Sequence, residues 1–324
     1  MKNNILVITD SLDTHADILC PKIKEAGSNV FRLDTNNSDQ YVASLKPEQS
    51  LLRLVDKESG HEVFGENIGS VWYRRPSPDT SLEEGLDNVS KKFVRSETKQ
   101  WVKSLALALK DSFWVSPPLS LYVARVKAHQ LFVASKYDLT VPKTLITRDV
   151  QEIRDFFDQC SAGMISKSIR APFVESEHSY HVLRTQEITR EDLEDPSLYV
   201  CPAIFQEKID VAHELRIVVI GRKIFSFKLK PQNSGTLDIR SGKIEDIEHS
   251  ICDISQDLEK KILNMMDYLN IPFSSMDFLV DNKGREFFID LNPNGQWLWL
   301  EILTKTVEMS DTFINMLISR KMPV

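Results

Sequence analysis

Glycine scarcity sets the first boundary on what this chain can fold into. Only 11 of its 324 residues are glycine, about half the share of an average protein. Folds that wrap backbone N–H groups around a phosphate need Gly-rich turns, because glycine alone tolerates the close approach and positive φ those turns demand. Neither GxxxxGK[ST] nor GxGxxG occurs, and GxSxG, HExxH and CxxC are missing as well. P-loop and dinucleotide-binding Rossmann fingerprints are thereby removed.

At roughly 150 residues per domain the length makes about two domains, or one large domain with lobes. Hydrophobic residues at 42% and charged residues at 27% are ordinary for a globular chain and exclude bulk disorder. A net charge of −7 is not the basic excess of a general nucleic-acid binder. Cys20, Cys160, Cys201 and Cys252 lie far apart, which fits reduced thiols rather than a disulfide framework or a zinc site. The apolar run Ile5-Leu6-Val7-Ile8 is too short for a signal peptide, and no stretch of 18 apolar residues exists. The expectation is a soluble cytoplasmic protein with no membrane or nucleic-acid partner.

Local patterns give the order of elements. Ile5–Thr9 predicts a buried strand, Thr14–Ala26 a helix closed by Gly27 and kinked at Pro21, and Val30–Leu33 the next strand. This β-α-β opening predicts an open α/β sheet. Leu51–Val55 and Glu62–Phe64 predict a hairpin, and Ser70–Arg74 a strand stopped by Pro76 and Pro78. A helix from Val89 to Lys110 should bury Val94, Trp101, Leu105 and Ala108. On it Lys91, Arg95, Lys99 and Lys103 recur every four residues as one basic stripe, either a solvated face or a docking face for an acidic peptide. Further on, Ser120–Lys136 predicts one helix, Thr144–Thr147, Gly163–Ser168, Tyr180–Arg184 and Ala203–Glu207 predict strands, and Asp149–Asp158 a helix. Glu214–Lys230 predicts a long hairpin turning at Gly221-Arg222, Ser255–Leu269 a helix, Ser275–Val280 and Glu286–Leu291 a second hairpin, and Glu301–Ser319 a final helix.

That second hairpin carries the strongest chemical signal. Residues two apart on a strand share a face, so Asp290 and Asn292 point the same way, and folding across the turn brings Asp277 beside them. Three hard oxygen donors suit Mg²⁺, which keeps several waters and bridges to phosphates; the alternative is a polar strand end capping its own loop. Lys127 on a helix and Lys167 at the end of an apolar strand reach either solvent or an anion, such as nucleotide phosphates. Phe205-Gln206-Glu207-Lys208-Ile209 is expected at a sheet edge, where free backbone groups can read an adenine ring. Glu214 suits a ribose hydroxyl or the solvated start of its hairpin. Arg216 and Arg240 flank the long hairpin, and a guanidinium suits a developing phosphoryl or acyl charge. Arg74 and Arg75 leave a strand toward opposite faces, so one can be structural while the other meets an anion. His178-x-x-His181 lacks the glutamate of a helical zinc motif.

Taken in order, Lys127, Pro142-x-Thr144, Lys167, Gln206-Glu207, Glu214-x-Arg216, Arg240, Asp277 and Asp290-x-Asn292 resemble the ATP-grasp ligases over roughly residues 120–324. Within them the chain looks like the RimK-type branch. Its Trp72-Tyr73-Arg74-Arg75-Pro76 segment is similar to microviridin-type peptide maturases, the graspetide synthetases.

The resemblance implies an α/β class with α+β lobes: an N-terminal open α/β pre-ATP-grasp domain at 1–118, a central ATP-grasp subdomain at 119–204 and a C-terminal one with the metal site at 205–324. It implies ATP and Mg²⁺ as cofactors. Lys127 and Lys167 would contact ATP phosphates, Gln206, Glu207, Lys208 and Ile209 would form the adenine hinge, and Glu214 would bind ribose. Asp277, Asp290 and Asn292 would hold Mg²⁺, while Arg216 and Arg240 would steady the transferred phosphoryl group. The loop from Ser168 to Ser179, Gly-rich in many members, has no glycine here. The partner would be a ribosomally made precursor peptide with leader and core, and dimers are what the likeness suggests. Arg74, Arg75 and the stripe Lys91, Arg95, Lys99 and Lys103 are the candidate substrate contacts. A RimK-like ligase of free amino acids and a non-catalytic nucleotide-dependent binding protein are the competing expectations.

Overall fold

The computed structural model describes residues 3–170, 173–175, 180–182, 185–231, 247–305 and 308–323, with the backbone path only at 173–175, 180–182 and 231. The chain opens with β1 (Asn4–Thr9), α1 (Thr14–Glu25) and β2 (Asn29–Asp34). Asp13 starts α1, its carboxylate accepting the N–H groups of His15 and Ala16. After β3 (Tyr41–Lys46), β4 (Leu51–Asp56) and β5 (Glu62–Phe64), a small antiparallel sheet, come β6 (Ile68–Tyr73), α2 (Asn88–Ala108) and β7 (Phe113–Val115). The main N-terminal sheet runs β2-β1-β6-β7 and is parallel throughout, as the β-α-β opening predicts.

The middle of the chain contributes α3 (Pro118–Ala124), α4 (Lys127–Lys136), β8 (Thr144–Thr147), α5 (Val150–Gln159), β9 (Met164–Lys167), β10 (Phe173–Glu175), β11 (Tyr180–Val182), β12 (Gln186–Ile188) and β13 (Ala203–Glu207). Its sheet has the order β12-β9-β13-β8. The last third holds β14 (Val211–Ile220), β15 (Lys223–Pro231), β16 (Ile247–Ile251), α6 (Gln256–Leu269), β17 (Phe273–Asp281), β18 (Glu286–Asn292), α7 (Leu298–Thr304) and α8 (Glu308–Ser319). Its antiparallel sheet runs β16-β15-β14-β17-β18. Gly221, at φ +64°, lets β14 reverse into β15 within two residues. No helix among the described residues is long and apolar enough to cross a membrane.

Four local expectations are corrected. The helix expected over 120–136 is two, because the chain leaves α3 at Arg125 and Val126, where Gln130 Nε2 donates back to the Ala124 carbonyl. The helix expected over 301–319 is also two; Lys305, at φ +58°, ends α7 in the left-handed region. The buried face of α2 is Val102, Leu105 and Ala106 rather than Trp101 and Ala108, with Trp101 and Leu107 exposed. And β13 is an inner strand, paired with β8 on one side and β9 on the other, not a sheet edge.

The cores are unequal. One cluster joins Ile5, Val7, Leu19 and Trp72 of the N-terminal part to Val218, Phe227, Phe273, Trp297, Phe313 and Leu317 of the last third. Phe313 sits at its centre, its ring 5.0 Å from Trp72, 5.5 Å from Phe273 and 5.8 Å from Trp297. A second cluster fills the opposite face of the C-terminal sheet under α4 and α6. The central sheet has only its own small core, built from Ile153, Phe156, Met164, Ile188, Leu193 and Phe205.

Candidate active site

The C-terminal sheet changes character along its length. On the face shared with the N-terminal part, Val218, Ile220 and Phe273 are buried and apolar. Two to four residues further along the same face the side chains become Glu214, Arg216, Ser275, Asp277, Asp290 and Asn292. Register fixes this grouping: Arg216 lies opposite Asp277, Asp277 opposite Asp290, and Ser275 opposite Asn292. Directly opposed residues point to the same side of a sheet. A bulge after Asp277 keeps Phe278 opposite Phe288 in the apolar layer below.

Arg216 Nη1 forms an ion pair with Asp277 Oδ1, and its Nη2 lies 3.5 Å from the Gln296 carbonyl. Arg216 Nε and Ser275 Oγ are buried without partners among the described residues. Asn292 Oδ1 accepts the Asn294 N–H at 3.0 Å. The loop-capping role weighed for this strand end is thus filled by Asn292, yet a carbonyl oxygen keeps a second lone pair. Two carboxylates, one amide oxygen and an orphaned hydroxyl form an all-oxygen donor set that fits Mg²⁺. No group of three or more His, Cys, Asp or Glu side chains suited to a metal occurs among the described residues, so the third donor here is an amide.

The central sheet presents the other half. Phe205 and Met164 face the small core under α5. Lys167 lies opposite Ile204, and Ile165 opposite Gln206, so Lys167 and Gln206 share the face turned away from α5. Gln206 is buried and donates to Thr144 Oγ1 at 2.9 Å. Lys127 opens α4 and is half-buried.

Four residues that sequence patterns did not single out hold the acidic strand end in place. Buried Gln130 bridges α4 to β18, accepting the Leu291 N–H at 3.0 Å and donating to the Leu291 carbonyl at 2.7 Å. Leu291 lies between Asp290 and Asn292. Asn294 Nδ2 donates to the Arg74 carbonyl, while Arg74 Nη1 donates to the carbonyls of Asn294 and, at 3.3 Å, Gly295. Asp13 pairs with Arg74 Nε at 3.2 Å, both side chains almost wholly buried. His15 Nε2 accepts the Trp297 N–H at 3.1 Å. Nothing local in the sequence marks the pairing of Asn294 with Arg74, 220 residues upstream.

Comparison with known proteins gives the fold and the identity of the N-terminal domain. Residues 4–120 match the family described as the MvdD pre-ATP grasp domain. The macrocyclase MdnC from Microcystis aeruginosa MRC, solved bound with precursor peptide MdnA, is 26% identical and superposes with a TM-score of 0.86 over 98% of this chain and 99% of its own. The chain is an ATP-grasp enzyme. MdnB from the same source is also 26% identical, with a TM-score of 0.79 over 98% of this chain and 99% of its own. A Chryseobacterium gregarium RiPP-associated ATP-grasp ligase, solved with ADP and a leader and core peptide, shares the fold at 24% identity, with a TM-score of 0.89 over 98% and 97% of the two chains. No curated protein sequence matches the chain.

Several expected site residues of this ATP-grasp enzyme sit elsewhere than a substrate contact requires. Arg74 is 1% exposed and its guanidinium is spent on Asp13 and two carbonyls, which takes it off the substrate surface; Arg75 beside it is exposed. Arg95 leaves the basic stripe by forking onto both carboxylate oxygens of buried Glu83, at 2.5 and 2.7 Å. Lys99 and Lys103 are exposed and Lys91 half-buried. Because β13 is an inner strand, the donors of an edge are in use: the Glu207 N–H goes to the Lys143 carbonyl and the Lys208 N–H to the Gly163 carbonyl. Lys208 Nζ pairs with Glu187 at 2.7 Å. Ile209 follows half-buried. Arg240 lies outside the described residues, as do His178, the His181 side chain and most of the loop after Ser168.

Proposed function

We propose that this enzyme activates Asp or Glu side-chain carboxylates of a ribosomally made precursor peptide and joins them to Ser or Thr hydroxyls or Lys amines, forming macrocyclic esters or amides. The observation that carries the proposal is the gathering of Asp277, Asp290 and Asn292 beside Arg216 on one sheet face. A binding protein has no use for a complete oxygen set next to an arginine. Peptide as substrate is supported by full-length likeness to MdnC, whose structure holds precursor peptide MdnA.

In this scheme a substrate carboxylate oxygen attacks the γ-phosphorus of ATP, the bond to ADP breaks, and an acyl-phosphate results. A hydroxyl or amine of the same peptide then attacks the acyl carbon, loses its proton to solvent and expels phosphate. Lys127 and Lys167 hold the phosphates, Gln206 to Ile209 line the adenine end, and Glu214 receives the ribose. Arg216, with Arg240, steadies the phosphoryl group and the acyl oxygen as charge develops there. Magnesium held by Asp277, Asp290 and Asn292 would supply charge neutralisation at the phosphate oxygens. Holding both reacting groups on one bound peptide supplies much of the rate. The acidic peptide leader would lie on Lys91, Lys99 and Lys103, or along the hairpin of β14 and β15, and the working form would be a homodimer.

The test is mass spectrometry of a cognate precursor after incubation with ATP and Mg²⁺. Loss of one water mass per bond is expected. A mass gain that requires free amino acids would replace this proposal with the RimK-like activity, and an unchanged peptide without ATP turnover would replace it with the binding protein.

A further inference from the structure

The loop that follows the proposed metal-binding strand is tied to its own sheet through Asn292 and Arg216 and, beyond that, to the N-terminal domain. It runs from Asn292 through Pro293, Asn294, Gly295 and Gln296 into α7. Arg74, at the end of β6, forks onto the carbonyls of Asn294 and Gly295 and accepts at its own carbonyl from the Asn294 amide. Asn294 in turn donates its N–H to Asn292 Oδ1. An ion pair from Asp13 to Arg74, followed by hydrogen bonds through Asn294, therefore leads to the oxygen proposed to bind the metal. Every member except Asn292 is buried. The loop also has no slack: a Cβ placed on Gly295 would lie 1.7 Å from Ser275 Oγ, on the strand that carries Asp277.

We infer that Arg74, acting through Asn294, is a positioning residue for Asn292, so that the N-terminal domain sets how well the C-terminal site takes up its divalent ion. The inference rests on the metal role proposed for Asp277, Asp290 and Asn292. A planar guanidinium holds its nitrogens in a fixed geometry: here Nη1 donates to both carbonyls while Nε lies 3.2 Å from the Asp13 carboxylate as an ion pair without a hydrogen bond. A lysine keeps the charge beside Asp13 but offers one point of attachment, so the loop can drift while the buried pair survives. A carbonyl oxygen misplaced by less than 1 Å is enough to degrade octahedral coordination, which Mg²⁺ enforces strictly.

The experiment is calorimetric titration of ADP into the full chain over a series of Mg²⁺ concentrations and without Mg²⁺, for wild type, Arg74→Lys, Asn294→Ala and Asp290→Asn, with melting temperatures alongside. For Arg74→Lys and Asn294→Ala the Mg²⁺ concentration giving half-maximal tightening of ADP should rise about tenfold, while ADP affinity without Mg²⁺ stays unchanged. Asn294→Ala leaves the Arg74–Asp13 pair intact and carries the test if Arg74→Lys does not fold. A lowered melting temperature with an unmoved Mg²⁺ midpoint in the folded variants would reduce Arg74 to a structural role and overturn the inference. Mg²⁺ dependence absent from wild type, or retained in Asp290→Asn, would overturn the metal assignment itself and the inference with it.

Discussion

The C-terminal sheet and the central sheet each carry half of the proposed site, but they are anchored differently. The C-terminal sheet is buried on both faces, one against α4 and α6 and the other in a core continuous with the N-terminal domain. The central sheet packs one face on α5 through a small core of its own, and its opposite face carries Lys167 and Gln206. Metal ligands must be held to within a fraction of an ångström, which favours the doubly buried platform. Nucleotide has to enter and leave, which favours an element whose core is separate and whose opening disturbs little else.

The largest effect that could break this contrast concerns chemistry. Asp290→Asn should lower turnover at least about a thousandfold, close to 4 kcal/mol of barrier, with an unchanged circular dichroism spectrum. Near-normal activity would remove the acidic strand end from the site. Next come the two cores. Phe313→Ala and Phe205→Ala should each cost about 3–5 kcal/mol, but in different places. Hydrogen exchange should show protection falling in β1, β6 and β14 together for Phe313→Ala. For Phe205→Ala the loss should stay within β8, β9 and β13. A loss that spreads equally in both variants would erase the distinction between the two regions.

The pH dependence sharpens the same comparison. Burial first, then the Arg74 charge, push His15 from 6.5 down to about 3, so it accepts the Trp297 N–H as a neutral ring. The unfolded chain binds a proton that the folded chain refuses between those values. This contribution is complete above about pH 6.5 and is lost as pH falls, by roughly 2 kcal/mol at pH 5. Asp13 has the same sign but acts only in stronger acid: burial raises its pKa, but the Arg74 charge, the Ala16 N–H and the Thr9 hydroxyl together hold it below 3.8, so its contribution is intact at pH 5 and is lost as pH falls below that value. Melting followed by exchange at pH 5 and pH 7 should show acid loosening the joint between α1 and α7 before the central sheet. In His15→Gln, whose amide oxygen can accept the same N–H without titrating, that pH dependence should flatten. The smallest effect is at the surface. Lys99→Glu with Lys103→Glu should weaken leader peptide binding by about 0.5–1 kcal/mol per charge, less at high salt; unchanged affinity would return the stripe to solvent.

How much of this was legible depended on sequence distance. The strand β1 was readable as a continuous apolar run buried on both faces, while β14 and β17 were readable from hairpin patterns that turn at Gly221-Arg222 and at Asp281 to Gly284. The strand β3 was not, since Tyr41–Lys46 is half-buried with no alternation. The breaks after α3 and α7 carry neither proline nor glycine, so nothing local marks them. The Asp277, Asp290 and Asn292 grouping followed from strand period and one turn. The Arg74 anchor did not, because an arginine before a proline looks the same whether it meets solvent or, as here, a loop 220 residues away. Likewise, β13 resembles an edge until β8 and β9 are both placed beside it.

The most direct test of the central claim is the nucleotide left after a single turnover with γ-labelled ATP, Mg²⁺ and a cognate precursor peptide. The site described here predicts one ADP and one labelled inorganic phosphate per bond formed, with both requiring the peptide. Appearance of AMP and pyrophosphate, or bond formation without nucleotide cleavage, would contradict it.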